Sequence, residues 1–239
     1  MTTDTFDSRA LRRTDCYGQR FMRPGTYRYA LVPATWSPAA DDFPYTIQIT
    51  DAPDRDAVME QHTVRVRQDG ARFVPEQHAL EIATGDLVVW NCRDSRTTPF
   101  AVAGEKDFFG NAALVNESGF SHAFGSAGEY EWADAYGSDL RGVVRVSDPR
   151  VTDSDDYQRW RRQLATGSVV MINGRNAEPA EVEIVTGQTV YFAVTKSDGI
   201  SVTDARLLQV GPEQPRPKLP TPAKPPRKRP TKKTARKRT

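Results

Sequence analysis

A mostly β chain built from sandwiches is the fold class this sequence predicts, and three observations predict it. Alternating runs such as YTIQIT at Tyr45–Thr50 turn one face to a core and the other to water. Strand–turn–strand segments such as EIATGDLVVW at 81–90 carry a glycine, Gly85, at the turn. Both kinds of signature occur twice. Phe124, Gly128, Tyr130 and Trp132 are matched at the same offsets by Phe21, Gly25, Tyr27 and Tyr29, and residues 81–90 align without a gap with EIVTGQTVYF at 183–192.

Taken in order, residues 1–58 hold the back-half signature, a loop rich in Pro, Ala and Asp, and the strand YTIQIT. Residues 62–148 hold a front half and then a back half, and read as a complete sandwich. Residues 153–166 read as a connecting helix: Asp153 or Ser154 is the N-cap, Asp155 and Asp156 suit the positive end of the dipole, and Arg159, Arg161 and Arg162 suit the other. Tyr157, Trp160 and Leu164 share a face at i, i+3, i+7, which is expected to pack against a sheet, and Gly167 can end the helix. Residues 167–210 hold a second front half. Half a sandwich exposes an apolar face and unpaired strand edges, so it is not stable alone. The two orphan halves are expected to combine into a second sandwich within the chain. The alternative is pairing between chains, which gives self-association or a subunit of a larger assembly.

Residues 62–148 resemble the cupredoxin family, of the plastocyanin and amicyanin type. The resemblance rests on FVPEQHALEIATGDLVVWNCRD and PFAV, followed by FSHAFGSAGEYEWADAYGSDLRGVVRV. It implies a Greek-key β-sandwich and, in the family, a copper site. That site ends in a Tyr-x-Tyr strand, a Cys, a His three residues on, a Met three further and a Gly two beyond. Here Tyr130 and Trp132 stand for the strand and Gly142 for the closing glycine, so the ligand slots fall on Asp134, Gly137 and Leu140. The family's first His follows a Pro; here Pro99 precedes Phe100, with Val102 in register. In the N-terminal copy the Cys slot is Leu31.

Blue copper needs two imidazoles, a thiolate and a weak axial thioether. Phe100, Gly137 and Leu140 bring no lone pair, and Asp134 would stand alone as a hard oxygen ligand. His62, His78 and His122 are the chain's three histidines, and none fills a slot. The expected scaffold is therefore metal-free and without a cofactor, with Asp134 capping backbone N–H groups of its own loop. A copper-binding, electron-transfer protein is the alternative from another class. No nucleophile–base signature, Walker loop or zinc pair occurs. Ser121 and His122 are neighbours, and on a strand neighbours point to opposite faces. A non-enzymatic protein is the expectation.

The net charge of +2 conceals a division. Residues 211–239 carry eleven Lys or Arg against one acid, Glu213, whereas residues 1–210 carry 22 basic and 30 acidic residues. Two cysteines, Cys16 and Cys92, are too few for a disulfide framework. The opening MTTDTFDSRALRR has no apolar core of a secretory signal, and no run is long and apolar enough to suggest a membrane span. A cytoplasmic protein with reduced thiols is expected.

The last 29 residues contain eight prolines and almost nothing apolar beyond Leu219. Such a composition cannot bury enough surface to fold, so a disordered tail is predicted, stiffened by proline in its first part. It resembles the basic tails of linker-histone-like proteins. Lys224, Arg227, Lys228, Arg229, Lys232, Lys233, Arg236, Lys237 and Arg238 form its cationic end and suit a polyanion such as DNA, RNA or polyphosphate. No aromatic residue interrupts it, so base stacking has no platform there.

Overall fold

The computed structural model describes residues 5–34, 40, 42–51 and 58–209. The first set of strands is β1 (Asp15–Arg20), β2 (Gly25–Pro33), β3 (Tyr45–Thr50), β4 (Gln61–Asp69), β5 (Arg72–Pro75), β6 (Ala79–Ala83), β7 (Leu87–Asn91) and β8 (Phe100–Gly104). After the short β9 (Leu114–Val115) come β10 (Ser118–Ala123), β11 (Gly128–Ala133), β12 (Arg141–Ser147) and the helix α1 (Ser154–Leu164). The chain continues through β13 (Ser168–Asn173), β14 (Asn176–Glu178), β15 (Glu181–Val185), β16 (Thr189–Lys196), β17 (Asp198–Ile200), β18 (Thr203–Asp204) and a short helix, α2 (Ala205–Leu208).

One eight-stranded sheet, in the order β14-β13-β16-β10-β1-β7-β4-β5, runs through the whole molecule. Sheet β6-β3-β2-β8 lies over one half of it and sheet β15-β12-β11-β18 over the other. Aromatic contacts mark each interior. Tyr29 of β2 meets Trp90 of β7 edge-on, with ring centroids 5.6 Å apart, and Trp132 of β11 meets Phe192 of β16 at 5.3 Å. Trp90, Trp132, Tyr17, Phe120 and Phe192 are all buried. The inward face of each strand carries these rings and the β-branched residues between them, which is the alternation a half-buried strand requires.

Each sandwich is made of consecutive chain. In both, the third strand pairs in parallel with the sixth (β3 with β6, β12 with β15) and the fourth with the seventh (β4 with β7, β13 with β16). The repeat is therefore tandem, over strands β1–β8 and β10–β18. The pairings correct the expected division into a complete unit at 62–148 flanked by halves at 1–58 and 167–210. The back half β1–β3 closes on the front half that follows it, within 61–104, not on residues 167–210. The back half β10–β12 closes on β13–β18. A strand pairs where its apolar face is covered at the least cost in loop closure, and for each back half that partner comes next in the chain. Each back half thus finds a complementary front half within the chain.

The two sandwiches meet at the pairing of β1 with β10. Tyr17 stands opposite Phe120 there, and these two residues are themselves equivalent at the 103-residue offset that relates Phe21 to Phe124. A local pseudo-twofold axis consequently passes between them. Tyr17 turns its ring onto Trp90 and Phe120 onto Phe192, at centroid distances of 5.3 and 6.2 Å with the same 23° tilt.

A strap at the N-terminus ties the two units together. Phe6 O accepts from Asp204 N–H at 2.9 Å, Ser8 N–H donates to Val202 O at 2.9 Å, and Leu11 exchanges both backbone bonds with Phe100. Phe6 packs on His122, Phe124 and Phe192 inside the second sandwich. Helix α1 joins β12 to β13. Its N-cap is Asp153, whose carboxylate accepts from Asp155 N–H and Asp156 N–H at 2.9 and 2.8 Å. Its apolar stripe is packed only in part: Trp160 donates to Thr186 O at 3.3 Å and Leu164 lies over Gly187 with much of its side chain still exposed, while Tyr157 is exposed. The predicted tail, 211–239, lies outside the described residues.

Candidate functional site

The four positions matched to the copper ligands do not converge. Phe100 is on β8 in the first sandwich, buried against Phe73 and paired with Pro33. Asp134, Gly137 and Leu140 lie in the β11–β12 loop of the second. The tandem order explains the separation. Position 100 has its counterpart in the second sandwich at Ile200, because Ala103 opposite Ala30 of β2 and Thr203 opposite Ala133 of β11 occupy equivalent places, an offset of 100.

Asp134 is buried and works as an acceptor hub. Its Oδ1 takes hydrogen bonds from Ser201 N–H at 2.9 Å, Ser201 Oγ–H at 3.1 Å and Tyr136 N–H at 3.1 Å, and its Oδ2 takes one from Ser138 N–H at 3.2 Å. A carboxylate satisfied four times over stabilises the loop and fastens it to the strand end at Ser201. Gly137 takes φ of +88°, a conformation that suits glycine at the turn, and Leu140 is buried. Among the described residues, no group of three or more His, Cys, Asp or Glu side chains is arranged to hold a metal ion.

The histidines occupy separate settings. His122 Nδ1 is 2.6 Å from Asp15 Oδ1, and both side chains are about 1% exposed. Burial raises the Asp15 carboxyl above its usual range, against the pull of the His122 ring and the Arg12 N–H. The pair lies at the junction of the two sandwiches, beneath Phe6 and Phe124. His62 Nε2 is 2.8 Å from Asp86 Oδ2 at the side of an open pocket also lined by Thr50, Glu60, Glu81 and Ile82. Burial works to raise the Asp86 carboxyl, but the Glu60 N–H, the His62 ring and the Ala83 N–H together hold it below the ordinary carboxylate range. Among the described residues of that lining the one hydroxyl, that of Thr50, donates to Ile82 O. His78 packs its ring on Tyr45. Cys16 and Cys92 are unbridged, and burial pushes the Cys16 thiol up, away from the reactive thiolate.

One charged surface is the outer face of sheet β15-β12-β11-β18. Cross-strand register places Glu131, Val143 and Glu181 in one row and Glu129, Arg145 and Glu183 in the next. Four glutamates thus form the corners of a grid two residues high and three strands wide. Arg145 bridges Glu129 at 3.3 Å and Glu181 at 2.5 Å. The sequence carries this signal in the i, i+2 acids of GEYEW and EVEIV, which the alternation alone sends to the water-facing side. The nine cationic residues between Lys224 and Arg238 fall outside the described residues. Also unread from sequence were the pairs Asp15–His122 and Asp86–His62, which join residues 107 and 24 positions apart.

The chain matches no family model, no curated protein and no solved structure. No helix among the described residues is long and apolar enough to cross a membrane.

Proposed function

We propose that this chain is a non-enzymatic interaction protein of the cytoplasm, in which a twin, copper-free cupredoxin-like scaffold carries a tail that binds nucleic acid or another polyanion. The observation that carries this reading is the segregation of charge: eleven Lys or Arg against one acid in the last 29 residues, beside a body with eight more acids than bases. Support comes from how the remaining polar groups are used. Asp134, the one oxygen donor among the ligand slots, is occupied with loop N–H groups. Two unbridged thiols fit a reducing compartment. The proposed partners are DNA, RNA or polyphosphate, recognised by phosphate charge without sequence preference.

Salt dependence tests it. With about eight phosphate contacts on duplex DNA, log K should fall with a slope near −7 per log unit of salt. Deleting residues 216–239 should abolish binding. A flat salt response, or unchanged affinity after the deletion, would remove the proposal. Copper titration followed by visible and EPR spectra is the companion test, and an intense thiolate–Cu(II) band would revive the electron-transfer alternative.

A further inference from the structure

We infer that the glutamate grid on the second sandwich is the docking face for the chain's own basic tail. The inference uses the same tail as the proposed function but does not require that any polyanion bind it.

Four observations carry it. Among the described residues the grid is an uncovered sheet face with Glu129, Glu131, Glu181 and Glu183 at its corners; Arg145 at its centre is already shared between Glu129 and Glu181, and Arg141 stands in the row beyond, opposite Ala133. Acidity is not a requirement of the fold, because the equivalent positions of the first sandwich are Thr26, Arg28, Ala79 and Glu81, around Gln48 and Thr46. The chain also leaves the fold beside this face. β18 pairs with β11 at the edge of this sheet, and α2 follows it, so the chain leaves the fold one strand away from Glu129 and Glu131.

The remaining observation is spacing. The first tail cation, Arg216, is seven residues beyond Gln209, a reach of up to about 25 Å. The grid itself spans about 10 Å across three strands and about 7 Å along them. Arg216 and Lys218, Arg227 and Arg229, and Arg236 and Arg238 stand two residues apart. On any extended backbone that interval is about 6–7 Å, matching each pair of glutamates. Tethering keeps the effective concentration high, so individually weak surface pairs suffice.

Carbodiimide coupling on the full-length protein tests this, because the reagent joins Lys amines to carboxylates already in contact. At low salt, the tail lysines (Lys218 to Lys237) should link within one molecule to the four grid glutamates in preference to Glu81 or Asp155. Replacing Glu131→Gln and Glu183→Gln together should lower the yield at the remaining grid acids about three-fold, while Glu81→Gln leaves it unchanged. Duplex DNA added before the reagent should suppress the links if the tail binds it. Links that survive DNA would count against the proposed function and leave the docking face standing. Links spread over all exposed acids, links found only between molecules, or no links would overturn the docking face, whatever the DNA result.

Discussion

The two sandwiches are built to one plan and differ in how each fills the same places. Opposite the central aromatic of the second strand, the first sandwich sets Tyr45 against Tyr29, and the second sets Gly142 against Trp132. One unit divides the volume between two medium rings; the other gives nearly all of it to an indole. At the turn before the seventh strand, Asp86 accepts from Ala83 N–H and Glu60 N–H in the first, whereas Gln188 accepts from Val185 N–H and donates to Gln163 O and Thr166 O in the second. At the slot two residues past the aromatic stands apolar Leu31 in one and the hub Asp134 in the other. The lesson is that the plan fixes volumes and hydrogen-bond directions, and that several residue types can satisfy each demand.

The largest effect is expected where the demand is most rigid. A Cβ on Gly142 would run into the Ala180 carbonyl oxygen and lie 2.7 Å from Trp132 Nε1. Backbone on one side and a buried indole on the other leave nothing to give way. Gly142→Ala should cost about 3 kcal/mol, measured by urea unfolding. Gly119 offers the contrast: there the atoms nearest a Cβ all belong to the Tyr191 ring, which lies on the outer face of the eight-stranded sheet and can swing away. Gly119→Ala should cost well under half as much. Equal losses would mean that the Tyr45–Gly142 exchange is not a volume trade.

Next comes the residue that one unit has and the other lacks. Asp134→Leu, which installs the first sandwich's solution in the second, strands the N–H groups of Tyr136, Ser138 and Ser201. The expected loss is about 2–3 kcal/mol, with faster hydrogen exchange at those three amides. Asp134→Asn keeps one acceptor and should lose less. The converse change, Leu31→Asp, buries a carboxylate without that loop and should also destabilise. If it does not, the two loops are not specialised.

How much of this was legible follows from the same comparison. Strands, turns and cores were readable because alternation and turn glycines are local. The repeat was readable too, but its phase was misjudged. The two signatures recur at 103 and 102 residues, nearly one interval, and a common interval is the mark of a tandem copy. The order of signatures along 62–148 happens to spell a complete domain, and only the pairing of β1 with β7 and of β10 with β16 shows which halves close. Asp134 was legible as a loop cap because its donors, Tyr136 and Ser138, are near in sequence. Asp86 with His62 and Asp15 with His122 depend on register between distant strands, which no local pattern encodes.

The smallest expected effect is also the one tied to pH, and it tests the turn exchange. Burial tends to raise the Asp86 carboxyl, yet two backbone N–H groups and the His62 ring hold it below its usual range. Its folded value is therefore lower than its unfolded value. The resulting stability is present in full above the ordinary carboxylate pKa of about 3.9 and is lost as pH falls through the lowered folded value. Asp86→Asn should thus cost about 1–2 kcal/mol at neutral pH, with the gap to wild type closing below about pH 3.9. Gln188→Ala removes a neutral acceptor and two donors, so its cost should not change over that range. A pH-independent deficit for Asp86→Asn would show that shape alone fills this turn, and the charge that separates the two sandwiches there would have no energetic role.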